Sequence, residues 1–135
     1  MSGPGGSHPL KHLAAEMDEA ARELYRRLER GEVATTRCAR CERTAFPPRT
    51  RCPACWAEQE WVELPREGTL HAFTTQEVGL RFRAPAVLGL AEVGDAVLPG
   101  VVDGAYESLR IGQPVRVETR PEPDTGLTLL AFVPA

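Results

Sequence analysis

Basic residues are not in excess, and lysine is almost missing: 15 of the 16 basic residues are arginine, Lys11 being the exception, against 19 acidic ones. The arginine bias reads as base composition of the gene. A net charge of −3 and a pI of about 5.6 argue against a general nucleic-acid binder, which carries a basic excess to displace counterions from phosphate. Aromatics make up 6% of the chain, so the second half offers a base-stacking surface only Phe73, Phe82, Tyr106 and Phe132. No apolar run approaches the roughly 20 residues that span a bilayer, and the opening "MSGPGGSHPLKH" has no apolar signal stretch. A cytoplasmic protein is expected, with neither membrane nor nucleic acid among its partners.

Catalytic groups are also scarce. His8 lies in the opening segment, His12 at the start of a helical pattern and His71 in a strand pattern, none at a spacing that pairs it with Ser, Cys or a carboxylate. Asp95, Asp103 and Asp124 sit beside glycine or in turn signals, where aspartate holds the backbone. There is no Gly-rich phosphate loop, His-Glu-x-x-His or Gly-x-Ser-x-Gly motif. The expectation is no catalytic residue set and no activity of the chain on its own.

What is there is cysteine. All 4 fall within "CARCERTAFPPRTRCPAC", as two Cys-x-x-Cys pairs at Cys38, Cys41, Cys52 and Cys55. In a reducing compartment such a cluster binds metal in preference to forming disulfides. Each gap lets a tight turn aim two sulfurs at one ion, and a closed four-thiolate site leaves no position for water or substrate. One structural zinc ion is expected; iron in a rubredoxin-like centre uses the same ligands, and a dithiol redox pair is the remaining alternative. Glu42 and Trp56 follow the second cysteine of each pair, where ribbon knuckles often carry glycine. Arg37, Arg40, Arg43, Arg49 and Arg51 can offset the net negative charge of four thiolates around a divalent ion, or face an anionic ligand or partner.

Residues 1–9 read as a Gly/Ser/Pro-rich flexible tail, followed by an amphipathic helix over 10–31 with Leu10, Leu13, Ala14, Met17, Ala20, Ala21, Leu24 and Leu28 on one face. Gly31 stands at the C-cap position, and Arg26, Arg27 and Arg30 favour the negative end of the helix dipole. That face either packs on its own domain or docks on another subunit. The docking reading places Leu13, Met17, Leu24 and Leu28 at a partner interface, because a ribbon and a barrel have little need of a long helix. The ribbon is expected over 32–64 and a barrel over 65–135, with β-like runs at 69–78, 86–93, 96–102, 114–120 and 127–133. Segment 105–110 reads as short helical or irregular, and Pro99 implies an edge or bulge. The fold class is thus mainly β with an N-terminal α-helix: a rubredoxin-like zinc ribbon followed by a five-stranded OB-fold barrel. Because both modules bind nucleic acid in many proteins, a nucleic-acid-binding ribbon/OB module is the rival from another class.

The order of parts, with "FPPRTRCPAC", "WVELPREGTLHAFT", "APAVLGLAEV", "LRIGQPVRVE" and "LTLLAFVPA", resembles the zinc-ribbon/OB-fold acyl-CoA-associated family, the domain of unknown function thirty-five. The resemblance covers about residues 15 to 135. It implies an accessory subunit of a thiolase-superfamily enzyme, a thiolase or retro-aldolase of steroid side-chain or aromatic-acid degradation, or of an acyl-CoA hydratase complex. The partner would carry the catalytic groups in a two-plus-two heterotetramer, and this chain would border the coenzyme A thioester. Phe46 and Arg49 in "FPPR", with Arg81, Phe82 and Arg83 in "GLRFRAP", are the candidate acyl-CoA contacts. They combine apolar surface for pantetheine with guanidinium for phosphate.

Overall fold

The computed structural model describes residues 18–76, 86–123 and 126–135. Helix α1 (Glu19–Glu29) opens on Asp18, whose side chain accepts a hydrogen bond from the Ala21 N–H at 2.9 Å. It closes on Gly31 at φ 79°, where the Gly31 N–H donates to the Leu28 carbonyl and the Glu32 N–H to that of Arg27, both at 2.9 Å. This paired bonding satisfies the last helical carbonyls and needs a left-handed residue, which glycine supplies. The expected helix end therefore holds; the expected stretch over 10–17, with Leu13 and Met17, lies outside the described residues.

Strands β1 (Ala34–Cys38), β2 (Thr44–Ala45) and β3 (Gln59–Glu63) form a small antiparallel sheet in the order β2-β1-β3. Strands β4 (Glu67–Gln76), β5 (Ala86–Val93), β6 (Ala96–Val102), β7 (Pro114–Glu122) and β8 (Leu127–Pro134) close into a barrel in the order β4-β5-β6-β8-β7. Residues Tyr106–Ser108 make one 3₁₀ turn between β6 and β7. This is the ribbon and five-stranded barrel that the run of turn signals predicts. Alternation sets the inner face: Val115 and Val117 are buried on β7 while Arg116 between them is exposed, and Leu98 is buried on β6 between exposed Val97 and Pro99. Phe132, Leu70, Leu98 and Val93 are fully buried at the centre.

One pairing is short. β6 meets β8 in parallel only through Val101–Ala131 and Val102–Phe132. Helix α1 packs against β8, with further contacts to β7 and β1. Leu24 and Leu28 are 7% and 3% exposed and belong to the same apolar cluster as Leu130, Val117 and Phe132. This corrects the docking reading for these two residues: they are buried in the chain's own core, because the helix packs its apolar face on β8. The outward helix face is charged, with Glu23 held below the usual carboxylate range by Arg26 and Arg27.

Asp103, at the end of β6, shares two hydrogen bonds with the Arg120 guanidinium of β7, at 2.6 and 2.9 Å. Asp103 is thereby held below the ordinary carboxylate range. The aspartate that reads as a turn residue is a cross-barrel tether. Both side chains are about two-fifths exposed (40% and 39%), so solvent screens the pair.

Two outcomes are expected. Leu24→Ala lowers the unfolding free energy of the isolated chain by about 2–5 kcal/mol, read from urea denaturation, as truncation of a buried leucine does. For Asp103, whose pKa is depressed on folding, the tether is present above the unfolded carboxylate pKa of about 3.9 and is lost as pH falls through the folded value. Asp103→Asn should cost at most about 1 kcal/mol near neutrality and flatten the stability profile between pH 5 and pH 3, measured by thermal melts across that range.

Candidate metal centre

The two cysteine pairs fold into near-identical turns. In the first, the Cys38 N–H donates to the Arg43 carbonyl and the Glu42 N–H to the Cys38 carbonyl, both at 2.9 Å. In the second, the Cys52 N–H donates to the Ala57 carbonyl at 3.0 Å and the Trp56 N–H to the Cys52 carbonyl at 2.8 Å. Closing each turn this way forces the residue after the second cysteine into the left-handed region, and Glu42 and Trp56 have φ of 61° and 63°. Such a conformation costs a residue with a Cβ roughly 1–2 kcal/mol. The departure from glycine that the sequence displays is thus a strained backbone at both turns.

The turns bring the four Sγ atoms within 4.8 Å of one another. Cys38 Sγ lies 3.5 Å from Cys55 Sγ, and Cys52 Sγ lies 4.0 Å from Cys41 Sγ. A tetrahedron of sulfurs bonded at 2.3 Å to zinc has edges of about 3.8 Å, so the donor set fits a tetrahedral ion. Amide groups aim at the sulfurs: the Cys41 N–H reaches Cys38 Sγ at 3.2 Å and the Ala54 N–H reaches Cys52 Sγ at 3.4 Å. Donation from the Cys41 amide lowers the Cys38 thiol to about 6. Donation from the Cys55 amide also holds Cys52 below the ordinary thiol range. Hydrogen bonding to Cys55, then burial, pushes Cys41 up to about 12. Four thiols this close cannot all ionise unaided, and a divalent cation supplies the missing charge.

The ribbon is fastened to the rest at several points. The Thr35 hydroxyl donates to the Ala45 carbonyl, and the Thr36 hydroxyl accepts from the Arg49 N–H at 2.8 Å, which anchors the 46–49 segment. The Thr44 hydroxyl donates to Asp95 Oδ2 at 2.9 Å, tying β2 to the β5–β6 turn. Arg27 stacks on the Trp61 ring at 4.7 Å, and Arg66 donates to the Gly31 carbonyl.

The candidate acyl-CoA contacts do not converge among the described residues. Phe46 is half-buried and lines an apolar groove of about 350 Å³ with Leu24, Tyr25, Pro99 and Leu129. Arg49 is exposed and lines a separate polar cavity of about 340 Å³ with Gln59, Trp61 and Glu23. The Gln59 Nε2 is buried without a hydrogen-bond partner. Arg81, Phe82 and Arg83 lie outside the described residues; the strands that lead to and from them, at Thr75 and Ala86, line a third cavity of about 460 Å³. Arg120 and Asp103 line that third cavity as well, and no local sequence signal could have joined residues 17 positions apart. His71 Nδ1 stands 3.4 Å from Glu92 Oε1 on the exposed outer wall of the barrel, a pairing that cross-strand register creates and sequence spacing hides. Among the described residues no helix is long and apolar enough to cross a membrane.

Two family models match consecutive stretches: the rubredoxin-like zinc ribbon domain of ChsH2 over residues 26–61 and the C-terminal OB-fold domain of ChsH2 over residues 61–120. The chain is 41% identical over 44 residues to the benzoylsuccinyl-CoA thiolase subunit BbsA of Thauera aromatica. That stretch is 32% of this chain and 31% of the relative, so the match spans about a third of either. Among solved structures, the Ltp2-ChsH2(DUF35) aldolase superposes with a TM-score of 0.75 at 24% identity, covering 87% of this chain and 96% of the other. A protein of the DUF35 family from Sulfolobus solfataricus superposes with a TM-score of 0.62 at 16% identity, covering 89% and 88%. These two likenesses carry the fold. With a ribbon and a barrel each matched in order by the same family, the chain belongs to the ChsH2-type zinc-ribbon/OB-fold family, the domain of unknown function thirty-five.

Proposed function

We propose that this chain is a non-catalytic accessory subunit that binds and stabilises a thiolase-superfamily enzyme and borders its acyl-CoA site. The observation that carries this reading is the stretch shared with a benzoylsuccinyl-CoA thiolase subunit, set within a chain whose ribbon and barrel both match ChsH2. The partner supplies nucleophile and bases; this chain supplies a rigid surface. A two-plus-two assembly in the cytoplasm, acting in steroid side-chain or aromatic-acid degradation, is the form the reading takes.

In this reading Cys38, Cys41, Cys52 and Cys55 would hold one zinc ion as thiolates. All four positions are then protein thiolates, so the ion cross-links two turns and does no chemistry on substrate. The apolar groove beside Phe46 suits a pantetheine or acyl segment, and exposed Arg49 suits a phosphate. Arg81, Phe82 and Arg83 would add to that contact.

Affinity purification from the native cytoplasm should recover a thiolase-family protein together with about one zinc per chain; recovery of the chain alone, or with nucleic acid, would reject the reading. Cys38→Ser leaves three thiolates and an opened site. It should lower zinc affinity by at least about 100-fold, since metal binding in such a small segment is largely its folding energy. Metal analysis after competition with a chelator, beside gel filtration with the partner, reads both consequences: zinc loss and weakened association.

A further inference from the structure

The second knuckle differs from the first in what it presents. Cys-Ala-Arg-Cys-Glu exposes two charges, whereas Cys-Pro-Ala-Cys-Trp exposes Pro53, Ala54 and Trp56 and no charge. Trp56 is 73% exposed, the most exposed of the large apolar side chains described. It is also held at φ 63°, a conformation that a bulky residue rarely adopts and that glycine would take freely. The position thus combines backbone strain with an indole that buries little surface in this chain. The knuckle sets this φ at Glu42 as well, so what is particular to position 56 is the bulky apolar side chain carried there. Strain kept where the surroundings over-determine it is a pointer to function.

We infer that Trp56 is an anchor that inserts into an apolar pocket of the partner protein. This rests on the accessory-subunit reading and assigns it a contact point. Tryptophan is favoured as a binding hot spot because it buries a large area with few torsions to freeze. The knuckle limits the motion of its backbone, since the Trp56 N–H is bonded to the Cys52 carbonyl and Cys55 belongs to the sulfur cluster. The side chain is 73% exposed, whereas a small-molecule site encloses its ligand in a concave pocket; the complementary pocket is therefore assigned to a macromolecule. Arg40 and Arg43 on the adjoining knuckle are exposed and have no acidic partner among the described residues, unlike Arg37 and Arg51, which face Glu42 and Glu58. Charge complementarity thus calls for a partner pocket rimmed by carboxylates.

The test uses the zinc-loaded full chain and the purified thiolase-family protein that co-purifies with it. Trp56→Gly removes the indole and relieves the left-handed strain. It should keep zinc and melt at or above the wild-type temperature, yet bind the partner at least about 30-fold more weakly. Trp56→Ala should lose affinity to the same extent. In a Trp61→Phe background, which leaves Trp56 as the single tryptophan, its emission should shift to the blue on complex formation. A folded, zinc-loaded Trp56→Gly chain that binds within about threefold of wild type would overturn the inference alone, since the subunit reading survives. Failure of the wild-type chain to bind any thiolase-family protein would reject that reading and this inference with it. Quenching of Trp56 by coenzyme A alone, with partner affinity unchanged by the substitution, would reassign the residue to nucleotide stacking.

Discussion

The apolar cluster that α1 shares with the barrel governs how the rest of the chain is arranged. β6 and β8 pair at two positions, Val101–Ala131 and Val102–Phe132, to close the barrel. Helix α1 packs against β8 and buries Leu24 and Leu28 in the same cluster as Leu130, which continues through Val33 and Leu64 at the base of the ribbon. Helix, ribbon and barrel therefore share one core, although the sequence reads as separable modules. At the rate of about 25 cal/mol per Å² of apolar surface, burying two leucines of the helix contributes a few kcal/mol, comparable with a sizeable part of a small domain's net stability.

The ribbon depends on a different kind of interaction. Its own apolar residues are few, and its centre is four sulfurs with amide groups turned toward them. Amide donation holds Cys38 below the ordinary thiol range, while hydrogen bonding to Cys55 and burial push Cys41 above it. Hydrogen bonds from Thr36 to the 46–49 segment and from Thr44 to Asp95 then carry the ribbon's order into the groove and the barrel. The Arg49–Thr36 bond anchors the segment that carries Phe46, which is a wall of that groove.

Much of this was legible because the signals were local. Cys-x-x-Cys spacing announced the knuckles, turn residues bounded β5 and β6, and Gly31 marked the helix end. What stayed hidden was long-range. The use of Leu24 and Leu28 depended on packing against β8, the last strand of the chain, which no periodicity in the helix encodes. Asp103 looked like a turn residue beside Gly104 because its partner, Arg120, comes from the next long strand. His71 and Glu92 likewise meet through register across β4 and β5. Phe46 and Arg49 are close in sequence yet face different cavities, since the chain between them is pinned by buried Pro48 and by Thr36.

The distribution of surface follows from the same constraints. With α1 committed to the barrel, its exposed face is an ion-pair ladder of Glu19, Glu23, Arg26 and Arg30, a poor site for a desolvated contact. β7 presents Arg116 and Glu118 in the same manner. Apolar groups left uncovered by internal packing are instead Leu90 and Val97 on the β5–β6 wall, Tyr106 and Ile111 between β6 and β7, and Trp56 on the ribbon. Because lone apolar side chains on a surface are ordinary, exposure does not by itself mark an interface. Trp56 is set apart by its backbone: an exposed leucine on a strand costs little, whereas a tryptophan held left-handed on a cysteine knuckle is unfavourable in the isolated chain, and an interaction outside the chain can offset that cost.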